Sequence, residues 1–245
     1  MKIADGVDEL EITVNRGGQI MMINPTLIWD NDIAILADTG IPGMFPDILA
    51  AMTKAGVPFS KLSMVILTHQ DVDHIGGLPE LLKQSDHKIE VLAHSADKPY
   101  IEGDLPLIKM KGFQQRLENM PEEQRKQAAA LFGTPPNSKV DRTLEDGEKL
   151  PYCGGITVIY TPGHTPGHIC LYLQRSKTLV AGDALAVIEG QLLGPRPQNT
   201  PDMDTAIKSL QKLLPYNIET VITYHGGVYQ GRANQRITEL AQGAA

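Results

Sequence analysis

Short runs of alternating or continuous apolar residues fill the first third of the chain. "LEITVN" (10–15), "GQIMMINPTLIWD" (18–30) and "DIAILADTG" (32–40) read as successive strands, separated by "RGG" and "DND" turns. The period then changes. In "FPDILAAMTKAG" (45–56), Phe45, Ile48, Leu49 and Met52 share one helical face, Pro46 suits the first turn, and Gly56 suits the position just past the end. "LSMVILTH" (62–69) returns to a buried strand, "GLPELLKQ" (77–84) is a short helix, and "KIEVLAH" (88–94) is another strand.

Residues 101–139 break this texture. The stretch is helical in its middle, with Phe113, Leu117 and Met120 on one stripe, interrupted by Pro121 and closed by "GTPPN". Such an excursion suits a lid or pocket wall, and equally a packing or dimerisation hairpin. Beyond it, "GITVIYTPGH" (155–164), "HICLYLQ" (168–174), "TLVAGD" (178–183) and "ETVITYHGG" (219–227) read as strands. Met203, Ala206, Ile207, Leu210, Leu213 and Leu214 form a helical stripe behind Thr200 as the expected N-cap, and "QGRANQRITELAQ" (230–242) closes the chain as a helix. Strands in both halves with helices between them predict two packed sheets with helices outside. No linker or low-complexity segment divides residues 1–245, so one domain is expected.

Composition adds exclusions. The chain has 42% hydrophobic and 21% charged residues, and its 22 basic against 29 acidic side chains leave a net charge of −7. With no basic block to offset that balance, nucleic acid and anionic membrane are poor partners. No run is apolar and long enough to span a bilayer, and the amino terminus is interrupted by Asp5, Asp8, Glu9 and Glu11 rather than built as an export signal. Cys153 and Cys170 make no disulfide framework and read as small buried hydrophobes, which fits a cytoplasmic location.

The chemistry is concentrated after the strands. "THQDVDHIGG" (68–77) places two histidines and two aspartates within six positions, in a chain with seven histidines altogether. "TPGHTPGH" (161–168), "VAGDAL" (180–185) and "TYHGG" (223–227) each set a histidine or aspartate just past a strand. Loops at one edge of a sheet sandwich can converge, and imidazole nitrogens and carboxylate oxygens together are the usual ligands of zinc and similar divalent ions. Positions 69, 71 and 73 alternate along a tight loop while His74 points elsewhere, an arrangement suited to two adjacent ions.

These four segments, in this order and spacing, resemble the metallo-β-lactamase superfamily. The resemblance runs from "TLIWDNDIAILADTG" to "TYHGG" and implies an α+β fold, a four-layer αββα sandwich with a metal cleft at one edge. It implies that His69, His164 and position 71 hold the first metal, that Asp73, His74 and His225 hold the second, and that Asp183 bridges both. The usual motif is H-x-H-x-D-H, whereas position 71 is aspartate here. This version recurs in a poorly characterised hydrolase-like branch, together with a stretch like "AHSADKPYIEG". A carboxylate at that position adds a hard, charged donor and shifts preference from zinc, the first expectation for both ions, toward iron, manganese or cobalt.

The resemblance further implies a hydrolase in which a hydroxide between two metals attacks a small ester, lactone or thioester, with Asp73 binding metal and orienting the hydroxide. No Ser-His-Asp or Cys-His nucleophile stands out. An iron-dependent oxidoreductase, such as a persulfide dioxygenase on the same fold, is the alternative, and a noncatalytic metal-stabilised scaffold is a third. His168 is expected behind the cleft, hydrogen-bonded rather than ligating. Arg196 could meet a substrate carboxylate or phosphate, or serve as an ordinary surface charge. His94 reads as structural and His87 as solvent-exposed. "GDALAVIEG" lacks the tyrosine that related lactonases carry after the bridging aspartate, and no basic cluster near the carboxyl end matches glyoxalase II. A small-molecule substrate is the expected partner, with a homodimer compatible.

Overall fold

In the computed structural model, residues 1–16, 19–111, 117–123, 125–126, 129 and 135–243 are described. The strands are β1 (Lys2–Ala4), β2 (Val7–Glu9), β3 (Ile12–Arg16), β4 (Gln19–Ile23), β5 (Thr26–Trp29), β6 (Ala34–Ala37), β7 (Leu62–Ile66), β8 (Glu90–His94) and β9 (Arg142–Leu144) in the first part of the chain. They continue as β10 (Lys149–Leu150), β11 (Ile156–Tyr160), β12 (Ile169–Leu173), β13 (Thr178–Val180), β14 (Ala186–Ile188), β15 (Gln191–Leu193), β16 (Thr220–Thr223) and β17 (Gly227–Tyr229). The helices bounded wholly by described residues are α1 (Phe45–Lys54), α2 (Val72–Ile75), α3 (Leu78–Gln84), α4 (Lys98–Glu102), α5 (Met203–Leu210) and α6 (Ala233–Ala241).

The strands form a seven-stranded sheet ordered β1-β2-β5-β6-β7-β8-β9 and a six-stranded sheet ordered β10-β11-β12-β13-β16-β17. Two hairpins, β3–β4 and β14–β15, stand beside them. The period-2 pattern assigns each strand two faces. Ile35, Ala37, Met64 and Ile66 from the first sheet meet Val158, Ile169, Leu171 and Ile222 from the second in the core between the sheets. The opposite faces carry Ala34, Leu36 and Val65, which pack with Ile48, Met52, Leu78 and Leu81 of α1 and α3. On the far side, Cys170, Tyr172, Leu179 and Val221 pack with Leu210 of α5 and Ile237 of α6. The result is the expected αββα sandwich. Each fully buried aliphatic side chain contributes roughly 1.5–3 kcal/mol of burial.

Local chemistry fixes the ends that matter. Pro46 lies in the first turn of α1, and Gly56 follows its C-cap at φ +77°, the left-handed position that a side chain resists. Helix α5 starts later than the sequence suggested. Asp202, not Thr200, is its N-cap, with Oδ1 accepting from the Thr205 amide at 3.0 Å. The short carboxylate reaches that amide, while Pro201 separates Thr200 from the helix. After Leu210 the chain tightens into a 3-10 turn, Gln211–Leu213, whose different period leaves Leu214 42% exposed rather than on the buried stripe.

Two other expectations are revised, and two strands are added. "GQIMMINPTLIWD" is two strands, not one, because Pro25 and Asn24 interrupt it and β4 pairs with β3 in its own hairpin. Strands β1 and β2 were not anticipated, being three-residue segments with charged members. His87 is half-buried, its Nε2 within 2.7 Å of the Leu62 carbonyl oxygen. In the 101–139 excursion, α4 ends at Glu102 and a 3-10 turn covers Ile108–Met110, with Leu117 buried; Phe113 lies outside the described residues, as do Gly17 and Gly18 of the first turn. Among the described residues no helix is long and apolar enough to cross a membrane.

Candidate metal centre

Carboxyl ends of strands from both sheets supply the site. Asp38 follows β6, the segment His69–His74 follows β7, and Asp97 follows β8; His164, Asp183 and His225 follow β11, β13 and β16. In parallel pairs such as β6–β7, β7–β8 and β13–β16 these ends necessarily point the same way. Open α/β sheets place their ligand crevices at the same ends.

The seven residues singled out in the sequence meet in two adjoining groups. His69, Asp71, His164 and Asp183 each offer a ligand atom, all within 4.8 Å of one another, and Asp73, His74 and His225 do the same. In the first group Asp71 Oδ2 lies 3.2 Å from His69 Nε2 and 3.0 Å from His164 Nε2. In the second, Asp73 Oδ2 lies 3.2 Å from His225 Nε2. Asp183 faces both: Oδ2 is 3.3 Å from His164 Nε2, and Oδ1 is 3.4 Å from His74 Nε2 and 3.6 Å from His225 Nε2. The buried atoms His69 Nε2, His74 Nε2 and Asp183 Oδ1 make no hydrogen bond of acceptable geometry. Buried polar atoms are rarely left so, and three of them converging on one cleft, all of ligand type, fit cations.

Behind these atoms lies a shell of hydrogen bonds that the sequence reading missed. Asp38 Oδ2 sits 2.8 Å from His74 Nδ1 and accepts from the Thr68 hydroxyl at 2.7 Å, while its Oδ1 accepts from the Thr68 amide. That engagement turns Nε2 of His74 toward the cleft. Asp38 adopts φ 65°, and the signal for it was the "DTG" directly after a buried strand. Tyr224 packs against His74 with ring centroids 3.8 Å apart and planes tilted by 32°, and donates its hydroxyl to the Asp73 carbonyl oxygen.

Asp97 ties the two ligand loops together. It accepts from the amide and side chain of Gln70, from the Thr165 hydroxyl and from the Gly167 amide. Asp97 stands at the N-cap position of α4, but its side chain is spent on these four donors and does not cap the helix.

The remaining candidates stand apart from the two groups. His168 is fully buried behind Asp183, whose amide donates to its Nε2 at 3.1 Å, while Nδ1 meets the Thr161 hydroxyl. Thr200 lies 3.4 Å from His164 Nδ1. Arg196 is on the wall of a separate apolar cavity of about 380 Å³, with Pro195, Met203, Ile207 and Leu240. His94 stacks on Tyr160, centroids 4.1 Å apart and planes within 5°.

Electrostatics follow from burial and these pairings. Burial, helped by neighbouring His74, holds His69 well below its ordinary range, and burial with His164 beside it pushes His168 down to about 3. Burial opposes a charge on His74 as well, but Asp38, Asp183 and Asp73 outweigh it and lift it well above the usual imidazole value. Burial likewise opposes the Asp71 and Asp183 carboxylates, and the surrounding imidazoles prevail, keeping both well below the usual range. In the metal-free chain the carboxylates are thereby favoured as anions, the state a carboxylate ligand requires, while His74 would give up its proton on binding an ion.

Comparison with known proteins agrees with this fold and cleft. Residues 19–225 match the family model of the metallo-β-lactamase superfamily. The chain belongs to that superfamily and is an enzyme of it. It is similar to the probable metallo-hydrolase YflN of Bacillus subtilis, 32% identical over 227 residues, covering 84% of this chain and 81% of that protein. It is also similar to the hydroxyacylglutathione hydrolase GloC of Haemophilus influenzae, 27% identical over 215 residues, covering 84% and 86%. Among solved structures, the metallo-β-lactamase family protein TTHA1429 of Thermus thermophilus superposes with a TM-score of 0.71 at 21% identity, covering 98% of this chain and 79% of that one, a likeness of fold.

Proposed function

We propose that the chain is a binuclear metallohydrolase that cleaves a small ester, lactone or thioester, working as one domain in the cytoplasm. The observation that carries this reading is Asp183, whose two oxygens face different histidine groups while Oδ1 stays without a hydrogen bond. His69, Asp71 and His164 would hold one divalent ion and Asp73, His74 and His225 the other, with Asp183 shared and zinc the first candidate. Bound there, such ions acidify water and polarise a carbonyl oxygen.

The chain's own groups do the rest. Asp73, whose side chain is 30% exposed at the cleft, can orient water through its carboxylate. His225, 15% exposed, lines the same opening, whereas His69 and His74 lie sealed beneath it. The thioester option draws support from the similarity to GloC.

Metal content per chain, measured by elemental mass spectrometry on untagged protein purified without added metal or chelator, is the test. About two divalent ions per chain, with turnover in a screen of esters, lactones and thioesters, is the expected result. About one iron per chain, with oxygen consumption on persulfides and no hydrolysis, would replace it with the oxidoreductase reading, which the oxygen donor of Asp71 favours.

A further inference from the structure

The first group of ligands already contains a cation. Lys109, on the 3-10 turn Ile108–Met110, reaches into the cleft so that its Nζ lies 2.6 Å from His164 Nε2 and donates to Asp71 Oδ2. Those atoms belong to two of the four residues that make up the first pocket. A lysine ammonium is a compact point charge, and one that touches both a ligand carboxylate and a ligand imidazole lies where a divalent ion would bind.

The placement is built, not incidental. The Ile108 amide donates to Gln70 Oε1 at 2.9 Å, so the turn bearing Lys109 is pinned to the residue between His69 and Asp71. Gln70 is fully buried, and its amide and side chain are held by Asp97. Three hydrogen bonds, two from Gln70 to Asp97 and one from Ile108 to Gln70, thus deliver the ammonium to the cleft. The second pocket is arranged differently: Asp73 pairs with His225, and His74 with Asp183.

We propose that Lys109 is a built-in cation of the first pocket: its ammonium holds Asp71 and His164 in the metal-free chain and must be displaced before an ion binds there, so the second pocket loads first. The proposal rests on the metal-binding reading above. Displacement breaks a charge-assisted contact to Asp71 and a contact to His164, and the first pocket's affinity falls accordingly. Loading both pockets also releases Lys109 toward solvent.

Two measurements test this. Zinc titration of the metal-free protein, against a competing chromophoric chelator, should give two steps whose dissociation constants differ by about tenfold or more. In Lys109→Met the weaker step should tighten toward the stronger one, while Lys109→Arg should keep two separated steps. Because Lys109→Met could fold poorly without metal, the second measurement uses the unaltered chain. Lysine methylation followed by peptide mass spectrometry should label Lys109 severalfold faster with both pockets loaded than without metal, with exposed Lys54 as the internal reference. Two equal, tight steps in the unaltered protein, or equal labelling with and without zinc, would overturn the role of Lys109 alone. No zinc bound by any of the proteins would overturn the metal reading with it.

Discussion

The carboxylate of Asp97 receives the backbone amide of Gly167 at 2.8 Å, across seventy residues of chain, and the approach leaves no space for a side chain at 167. A Cβ there would lie 2.5 Å from the Asp97 nitrogen and 2.7 Å from its Cβ. Gly167→Ala is therefore expected to push the His164 loop away from the Gln70 loop. Asp97→Asn, which turns one acceptor into a donor facing buried donors, should cost on the order of 3 kcal/mol. Urea unfolding of both variants, with zinc affinity measured in parallel, checks this; unchanged stability in both would mean that Asp97 does not join the loops.

Asp183→Ala and His225→Ala address the ligand set directly. Each is expected to lower metal content and abolish hydrolysis while leaving the far-ultraviolet circular dichroism of the folded chain. Full metal content in both variants would refute the assignment.

Asp38 acts through His74. Asp38→Asn keeps the size of the side chain but weakens the hold on His74 Nδ1, and metal affinity should fall about 10- to 100-fold. Calorimetric titration with zinc measures this. An effect confined to stability, with affinity intact, would reduce Asp38 to a structural residue.

Glu9 makes stability depend on pH. Burial, with Glu11 nearby, raises its carboxyl from 4.5 to about 7, and Oε1 has no hydrogen bond. The folded chain thus keeps a proton that the unfolded chain loses above 4.5. The associated stability is fully present below that pH and is lost as pH rises through 7, a change on the order of 2–3 kcal/mol. Denaturation midpoints of the parent chain should fall from pH 5 to pH 8 relative to Glu9→Gln. Parallel pH profiles for the two proteins would contradict the shift.

Neither cysteine is expected to react while the chain is folded. Burial, with Asp30 next to the first, pushes Cys153 up to about 12, and burial alone does the same for Cys170. Their thiolate fraction at pH 8 is lowered by about a thousandfold. Ellman's reagent should find no fast thiol in the native protein and two after unfolding.

The sandwich was legible because its strands bury both faces: runs such as "AILA" and "ICLYL" have no polar interruption and admit few alternatives. Strands β1 and β2 were not, since "KIA" and "VDE" are short and carry charges; Asp8 and Glu9 are buried all the same. At the site, histidines and aspartates directly after strands announced themselves by type and position. Asp38, Asp97 and Lys109 did not, because a lone aspartate after a strand reads as a turn, and a lysine in a long loop reads as solubility. Their roles come from contacts made across 36, 70 and 55 residues, which no local pattern encodes. Thr200 misled for the related reason that its hydroxyl faces His164 rather than a helix amide.

Neither half of the chain owns a complete pocket. His69, Asp71, Asp73 and His74 come from the first sheet, and His164, Asp183 and His225 from the second. Ions seated among them would act as rivets through the open rim of the sandwich, and losing them would loosen a seam as well as remove a reagent. Cohesion and chemistry at these seven positions would then drift together under mutation, so that variants selected for a tighter grip on metal would also be those whose sheets part last.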